Sequence, residues 1–125
     1  VNQEIFLRWR KDAEEIIQHG LDTNGLDTGG VRFRQEANNV ITDNSIAYAY
    51  SPGIFQPYNI AGRHGSTFIN GAADGTVGTV ITTPVDFPDL SSTNFQIGYK
   101  YMGNIGKLRV WAADIGDDGI EEASA

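Results

Sequence analysis

The stretch IAGRHGSTFINGAADG, residues 60–75, decides the fold that we predict for this chain. Residues 60–64 are half apolar and indicate a strand, and the pair Gly65-Ser66 suits a two-residue type II′ turn into a second short strand. Asn70-Gly71 tolerates positive φ at both positions, as a type I′ turn requires, and predicts a second reversal into a third strand. Three strands in so short a stretch would form an antiparallel meander.

The length and composition of the chain predict one domain with an acidic surface. A chain of 125 residues can bury about two-thirds of its unfolded surface, which gives a real core. It contains no cysteine, so a disulfide framework and a thiolate metal site are excluded. Sixteen acidic against nine basic residues give a net charge of −7, which repels phosphate backbones, and we predict no nucleic-acid partner. No apolar run approaches the ~18 residues of a membrane span and no signal peptide is visible, so we also predict no membrane partner.

Residues 4–22, EIFLRWRKDAEEIIQHGLD, fit two different structures. In a hairpin, residues 5–10 would alternate as a first strand and the polar residues 11–15 would form the loop. The second strand would then place Ile17, His19 and Leu21 on one face. In a helix, one apolar stripe would form. It would contain Phe6, Trp9, Ala13, Ile16, Ile17 and Gly20. Periodicity alone does not decide between the two.

Most of the remaining chain has the pattern of short strands. Residues 22–30, DTNGLDTGG, form a glycine-rich loop, and the dipeptides Asn38-Asn39 and Asp43-Asn44 predict turns. Two prolines exclude a central strand at 84–93, and the acidic start of 114–123 predicts a short helix. We predict strands in the runs 31–35, 40–42, 45–50, 95–101 and 105–112, whereas the run 76–83 is rich in Thr and Val and is compatible with the extension of a strand without requiring it. About ten strands at such short intervals indicate an antiparallel sandwich or barrel.

A series of motifs in residues 57–123 resembles the second half of the concanavalin A-like, laminin-G-type domains, which occur in lectins, extracellular modules and phage or particle-associated proteins. The motifs are Phe68-Ile69-Asn70-Gly71, then Ile97-Gly98, then Gly106, Leu108, Val110 and Trp111, and finally Asp117, Asp118, Ile120, Glu121 and Glu122. The resemblance implies an all-β antiparallel sandwich of the jelly-roll type that spans residues 1–125 as a single domain, with a short C-terminal helical turn. It also favours the hairpin for residues 6–21.

The resemblance leaves the completeness of the domain open. Complete domains of this type usually carry more strands than the ten predicted here. Either this is a reduced version, or the fold is incomplete at its N-terminus and the chain is the C-terminal part of a longer one. In the second case, the missing strands would come from preceding residues or from a partner chain.

An enzymatic role is not expected. Retaining glycosidases of this fold resemble one another in an E-x-D-x-E strand, because two carboxylates must lie about 5–5.5 Å apart. The acidic pairs Glu14-Glu15 and Glu121-Glu122 are adjacent residues, which on a strand point to opposite faces. The chain has no cysteine and only two histidines, His19 and His64, so few side chains could serve as the nucleophile and base of a catalytic triad.

No metal or other cofactor is predicted. Laminin-G-like domains often bind one calcium ion, which the resemblance would place at Asp22, Asn24 and Asp27. Their spacing, D-x-N-x-x-D, lacks the acid at the twelfth position of an EF-hand loop. Asx turns in a glycine-rich loop therefore explain these residues better than calcium does.

Carbohydrate binding is the function that we expect. Aromatic rings stack on the C–H faces of sugars, and Tyr48 with Tyr50 and Tyr99 with Tyr101 are predicted to share faces. Core packing competes with that role, but Tyr58 and Tyr101 lie beside turns. Together with Arg63 and His64, in the charged turn that precedes the N-G strand of the family, they are the predicted ligand-binding residues.

The resemblance implies a non-catalytic recognition or structural module of a larger assembly, such as a phage or phage-like particle, located in a virion or outside the cell. Its partners would be carbohydrate or other subunits of the particle. The alternative is a purely structural subunit that docks to neighbouring proteins through a sheet edge and binds no sugar.

Overall fold

Two antiparallel sheets and one short helix make up the computed structural model, which describes residues 3–22, 29–46, 58–101 and 103–125. The strands are β1 (Gln3–Arg10), β2 (Ile16–Asp22), β3 (Val31–Ala37), β4 (Val40–Ile46), β5 (Ile60–His64), β6 (Ile69–Ala73), β7 (Thr76–Val77) and β8 (Asn94–Ile97), and the helix α1 is Gly116–Ser124. Five strands are ordered β4-β3-β2-β1-β8, and three are ordered β5-β6-β7. The predicted all-β sandwich with a short C-terminal helix is confirmed.

The hairpin prediction for the first strands is confirmed, and the helix alternative is wrong. Strands β1 and β2 pair with Trp9 opposite Ile17 and Leu7 opposite His19. Between them, Oδ1 of Asp12 accepts hydrogen bonds from the N–H groups of Glu14 and Glu15, and this closes the polar loop. The side chain of Asp12 thus stabilises a turn where a helix would have needed these N–H groups for its own ladder.

The two turns predicted on either side of β4 have different outcomes. Asn38 and Asn39 have φ of 52° and 63° and make the reversal between β3 and β4, as predicted. Strand β4 then continues through Asp43 and Asn44, so the turn predicted there is wrong. Asn44 is buried and donates hydrogen bonds into the opposite sheet, whereas Asp43 pairs with arginines of β3. These polar residues serve side-chain contacts rather than a bend.

The meander of residues 60–77 is present, but both predicted turns are misplaced. Residues 65–68 connect β5 to β6, and the N–H of Gly65 donates to the carbonyl of Phe68 at 2.9 Å. This is a four-residue connection and not a type II′ turn at Gly65-Ser66. Asn70-Gly71 lies buried within β6, and the reversal comes at Asp74-Gly75, with φ of 46° and 77°. The meander was therefore predicted correctly and its register was not.

The predictions for residues after β7 are only partly confirmed. No strand forms in 84–93, as expected, but β8 ends at Ile97 because Gly98 turns the chain with φ of 76°. Residues 105–112 pair with no described strand, so the strand predicted there is wrong. Large apolar side chains of this segment are 39 to 64 % exposed. Residues 47–50, which include Tyr48 and Tyr50, lie outside the described residues.

The core lies where the small sheet covers part of the large one. Strand β6 packs against β3 and β4, and α1 packs on the other side of the small sheet. The intersheet cluster consists of Val31, Phe33, Ile46, Ile69 and Ala73, and the cluster under the helix consists of Ala61, Ala72 and Ile120. The inner faces of β1, β2 and β8 extend beyond this core and form one wall of a cleft. Within the described ranges, no helix is long and apolar enough to cross a membrane.

Candidate functional site: a cleft between the sheets

A cleft of about 700 Å³ separates the inner face of the large sheet from β5 and the 104–115 segment. Its apolar wall comes from alternate residues of three neighbouring strands, because every second side chain of a strand faces the same way. These residues are Leu7, Trp9, Ile17, His19, Leu21, Phe95 and Ile97. Trp9 and Phe95 are paired across β1 and β8 and contact edge to face, with ring centroids 5.6 Å apart. The cleft is therefore mainly apolar and aromatic, with polar groups at its opposite wall.

All four predicted ligand-binding residues line this cleft. Tyr58 precedes β5, Arg63 and His64 end β5, and Tyr101 follows β8. The ring of Tyr101 contacts Phe6 edge to face at a centroid distance of 6.2 Å. Two separate parts of the sequence, one around β5 and one after β8, thus meet at one site.

Tyr99 and Tyr101 do not share a face, which corrects the prediction from their spacing. Alternation fails here because β8 has already ended, and Lys100 between the two tyrosines has a φ of 50°. Tyr99 lies on the outer face of the sheet, with its ring centroid 3.5 Å from Cζ of Arg8. Only Tyr101 of the two faces the cleft.

Arg63 lies in the cleft wall, but its guanidinium is already bound. Nε and Nη2 donate to the two carboxylate oxygens of Asp114, both at 2.9 Å, and Nη1 donates to Asp117 at the start of α1. The guanidinium also lies over the ring of Phe68, 4.2 Å from its centroid. Such a bidentate pair fixes both partners. Arg63 therefore fastens β5 to the helix and helps to shape the cleft, and three of its five N–H groups are already bound to carboxylates.

A pair of histidines, His19 on the large sheet and His64 on β5, joins the two walls of the cleft, and a third residue fixes the positions of their protons. Nε2 of His19 and Nε2 of His64 are 2.9 Å apart, and Nδ1 of His64 is 3.3 Å from Oε1 of Gln35. Nε2 of Gln35 donates to the carbonyls of Gly65 and Val85 at 2.9 and 2.8 Å, so its oxygen must face His64 as an acceptor.

This arrangement assigns the tautomers. Nδ1 of His64 carries the proton that Gln35 accepts, so Nε2 of neutral His64 has a lone pair. His19 must then donate from Nε2 and keep the lone pair on its Nδ1. The two rings are nearly parallel, with an interplanar angle of 19°. Each imidazole is held by its neighbours in a single neutral form.

Burial keeps both histidines uncharged at neutral pH. Loss of hydration lowers the pKa of His19 to about 4. The same cause, together with the proximity of His19, lowers the pKa of His64 well below its ordinary value. His19 also lies between the rings of Phe6 and Phe33, which exclude water from two sides. Proton uptake at this pair is therefore unfavourable until the solution is well below neutral.

Two glycines that face each other across β5 and β6 make room for this arrangement. Gly62 is paired with Gly71. A Cβ at Gly62 would lie 2.6 Å from Phe33 and 2.7 Å from His19, and one at Gly71 would lie 1.9 Å from Phe33. The close packing of Phe33 and His19 against β5 and β6 depends on the absence of both side chains.

The candidate metal residues do not form a site within the described chain. Asp22 is almost fully buried and accepts a hydrogen bond from Nη2 of Arg32 at 3.1 Å. Asn24 and Asp27 lie outside the described residues. In the part of the chain that is described, no group of three or more His, Cys, Asp or Glu side chains could hold a metal ion.

Sequence reasoning missed His19 and the aromatic side chains of β1 and β8 as parts of the site. The alternation of Leu7 with Trp9 and of Phe95 with Ile97 marks a face of each strand, but only the pairing of β1 with β8 shows that the faces are the same. No protein-family model matches the chain, and no curated protein or solved structure is significantly similar to it. The resemblance to concanavalin A-like domains stays a prediction.

Proposed function

We propose that this domain is a non-catalytic recognition module that binds a carbohydrate in the cleft. The observation that supports this most strongly is the convergence of Tyr58, His64 and Tyr101 on one cleft of about 700 Å³. That volume is within the range of about 300–1,000 Å³ typical of ligand sites. Such sites combine a largely apolar wall with a few polar groups, which is what a sugar with apolar C–H faces and hydroxyl edges requires.

The polar groups of the cleft can serve the sugar hydroxyls. Lys107 and Arg109 extend from the 104–115 segment, are exposed, and form no ion pair with a described residue. Nδ1 of His19 offers a lone pair, because its other nitrogen donates to His64. The rings of Tyr101 and Trp9 offer apolar surface beside them. Donors, an acceptor and stacking surfaces are thus present in one cavity.

The assembly that carries this module is proposed from the resemblance alone. Concanavalin A-like domains occur in phage and phage-like particles and in extracellular modules, and we place this domain in such a particle or outside the cell. Its place there would be that of a recognition subunit rather than an enzyme.

Glycan binding tests the proposal. The wild-type chain is applied to a glycan array and the affinity for the best glycan is measured by calorimetry. We expect Tyr58→Ala and Tyr101→Ala each to weaken binding about tenfold or more, which corresponds to a stacking contribution of about 1.4 kcal/mol. Tyr99→Ala is the matched control, because Tyr99 lies on the opposite face of the sheet. Absence of binding to any glycan, or equal binding by Tyr101→Ala and wild type, would refute the proposal.

A second candidate is a structural subunit that docks through a sheet edge. It is favoured by the large apolar side chains that β8 and the 104–115 segment expose, among them Ile97 at 51 % and Val110 at 64 %. Exposed edges with apolar neighbours are templates for strand addition. Assembly of the pure chain, or of the chain with a neighbouring subunit, into an ordered complex without any sugar would support this candidate, and light scattering measures it.

A further inference from the structure

Three basic side chains gather on the outer face of the large sheet. Arg8, Arg10 and Lys100, the cation cluster, surround Tyr99, whose ring centroid lies 3.5 Å from Cζ of Arg8 and 5.5 Å from Nζ of Lys100. Arg8 donates from Nε and Nη2 to Oε1 of Gln96, so its position is fixed. No described Asp or Glu forms an ion pair with any of the three.

The chain has sixteen acidic and nine basic residues, and four of the basic side chains pair with an aspartate in the described structure, namely Lys11, Arg32, Arg34 and Arg63. Of the five basic side chains that form no ion pair with a described residue, three lie close together in the cation cluster. Like charges that lie close together on a sheet destabilise it unless an anion compensates them. The electrostatic effect is visible at Tyr99, where a hydrogen bond from Arg8 and the charges of Lys100, Arg8 and Arg10 lower the pKa of the phenol. The cation cluster is therefore a place where an anionic group from outside would be stabilised.

The cation cluster lies beside a free backbone edge. Strand β8 is the last strand of its sheet and pairs only with β1 among the described strands. The N–H of Gly98 donates to the carbonyl of Phe6, so the hydrogen-bonding groups of Gly98, Gln96 and Asn94 face β1. The N–H and C=O groups of Phe95 and Ile97 then point to the open side.

The two faces of this edge differ in chemistry. On the inner face, Phe95 and Ile97 are 40 % and 51 % exposed. On the outer face, Arg10 is opposite Asn94 in the β1–β8 register, and Lys100 follows the end of β8. An added strand has its side chains on alternate faces. One set would meet apolar surface and the other would meet cations.

We propose that the edge of β8 binds an extended segment of a partner protein in which apolar and acidic side chains alternate. The backbone of that segment would pair with Phe95 and Ile97, its apolar side chains would cover these two residues, and its carboxylates would lie beside Arg10 and Lys100. This inference rests on the second candidate function and names the partner chemistry for it. It does not depend on a sugar in the cleft.

A second copy pairing through its own β8 does not fit the same edge. In an antiparallel β8–β8 pair with a twofold axis, the outer faces of the two sheets would be continuous. Arg10 and Lys100 of one copy would then approach the same residues of the other, and the repulsion would oppose association. An acidic segment would neutralise the positive charge of the cation cluster, whereas a second copy of β8 would place another cation cluster beside it.

The test uses the full chain and three synthetic peptides of seven residues with blocked ends. One alternates valine and glutamate, the second alternates valine and lysine, and the third contains only glutamate. We expect the valine–glutamate peptide to bind at least tenfold more tightly than either of the other two, measured by fluorescence anisotropy. Hydrogen exchange of the Phe95 and Ile97 amides should slow at least tenfold in its presence, because these N–H groups become bonded.

Charge reversal identifies the residues responsible. In the double variant Arg10→Glu/Lys100→Glu, the preference should reverse toward the valine–lysine peptide. Glu121→Lys/Glu122→Lys is the control, since it reverses two exposed charges on α1, which packs on the small sheet, and should leave the preference unchanged.

Three results would overturn the proposal. They are equal binding of the two alternating peptides, equal binding of the glutamate-only peptide, which would indicate a simple anion surface, and unchanged exchange of the Phe95 and Ile97 amides. Ordered assembly through another edge, with no peptide bound at β8, would refute this partner but leave the second candidate function intact.

Discussion

The ring of Phe33 occupies the space that a side chain on Gly71 would need. A Cβ built at Gly71 lies 1.9 Å from Cε2 of Phe33, less than any real contact between carbon atoms. Phe33 is fully buried, and it contacts His19 edge to face with ring centroids 4.9 Å apart. The absence of a side chain in the middle of β6 therefore fixes how closely the two sheets approach and where the histidine pair lies.

Gly71→Ala should destabilise the domain by about 2–3 kcal/mol, because the ring of Phe33 must move within a packed core. Urea unfolding followed by fluorescence measures the change. Gly106→Ala is the matched control, since nothing lies within 4 Å of a Cβ at that position, and it should change the free energy of unfolding by less than about 0.5 kcal/mol. Equal effects of the two substitutions would contradict the packing that we describe.

Stability should fall as the pH decreases from about 6.5 to about 4, in part through the histidine pair. In the unfolded chain His19 takes up a proton near pH 6.5, whereas in the folded chain its pKa is about 4. The unfolded state thus binds more protons in this interval, so the stabilisation present above pH 6.5 is lost as the pH falls toward 4. The contribution of His19 to that loss is on the order of 3 kcal/mol.

Urea unfolding at pH 7 and pH 4.5 tests this for the wild type and for His19→Phe/His64→Gln. The acidic residues contribute equally to both proteins, so the double variant should lose less stability between the two pH values. An NMR titration that gave either histidine an ordinary pKa would contradict the neutral pair.

Gln35→Leu should destabilise the fold by about 2–3 kcal/mol. The side chain of Gln35 is fully buried and serves the carbonyls of Gly65 and Val85 as well as Nδ1 of His64. A leucine of similar size leaves these groups without a hydrogen-bond partner. Each buried polar group that lacks a partner lowers the free energy of unfolding. Gln35→Glu is an informative second variant, because it keeps an acceptor for His64 but loses both donors. It should raise the pKa of His64, which an NMR titration detects.

Arg63→Lys should loosen α1 without unfolding the sheets. A lysine keeps the charge but cannot donate two parallel hydrogen bonds to Asp114. Because Asp114 and Asp117 are 37 % and 42 % exposed, we expect a loss of only about 1 kcal/mol. Hydrogen exchange should be faster in α1 than in the wild type, while exchange in β2 and β3 stays the same. Arg109→Lys serves as the control, and equal exchange rates in α1 for both variants would show that Arg63 does not hold the helix.

The features that the sequence predicted well are those that a few neighbouring residues decide. Asn38-Asn39 adopts the turn expected of it because positive φ is a local requirement that asparagine meets. Asp12 closes its loop through its own side chain, and residues 31–35 alternate between buried and half-buried positions, as predicted. In these cases the conformation that the local sequence favours is also the one that the tertiary structure requires.

The errors come from residue types that serve two purposes. Asn70-Gly71 has the chemistry of a turn, but Asn70 is buried and donates to Asp117 and to the carbonyl of Gly78, and Gly71 accommodates Phe33. Asn44 is used similarly. Nothing in the local sequence distinguishes these roles, since the deciding contacts are with distant strands.

The candidate site also combines features that local sequence predicts with features that depend on distant contacts. Tyr58, Arg63, His64 and Tyr101 were named as ligand-binding residues from turns and from the resemblance, but the sequence did not show that they line one cleft or what their side chains contact. The pairing of His19 with His64 spans 45 residues and depends on the register of β2 and β5 in different sheets. The engagement of Arg63 with Asp114 depends on where α1 packs.

The order of strands in the large sheet has a consequence for how the molecule forms. Strands β1, β2 and β3 each pair with the strand that follows in sequence, whereas the pairing of β8 with β1 brings together residues such as Arg8 and Gln96, which are 88 positions apart. Closing so large a loop carries an entropic penalty that neighbouring hairpins avoid, so we expect β8 to be added late. Until then β1 is itself a bare edge, and a nascent or refolding chain passes through a state that is prone to aggregation.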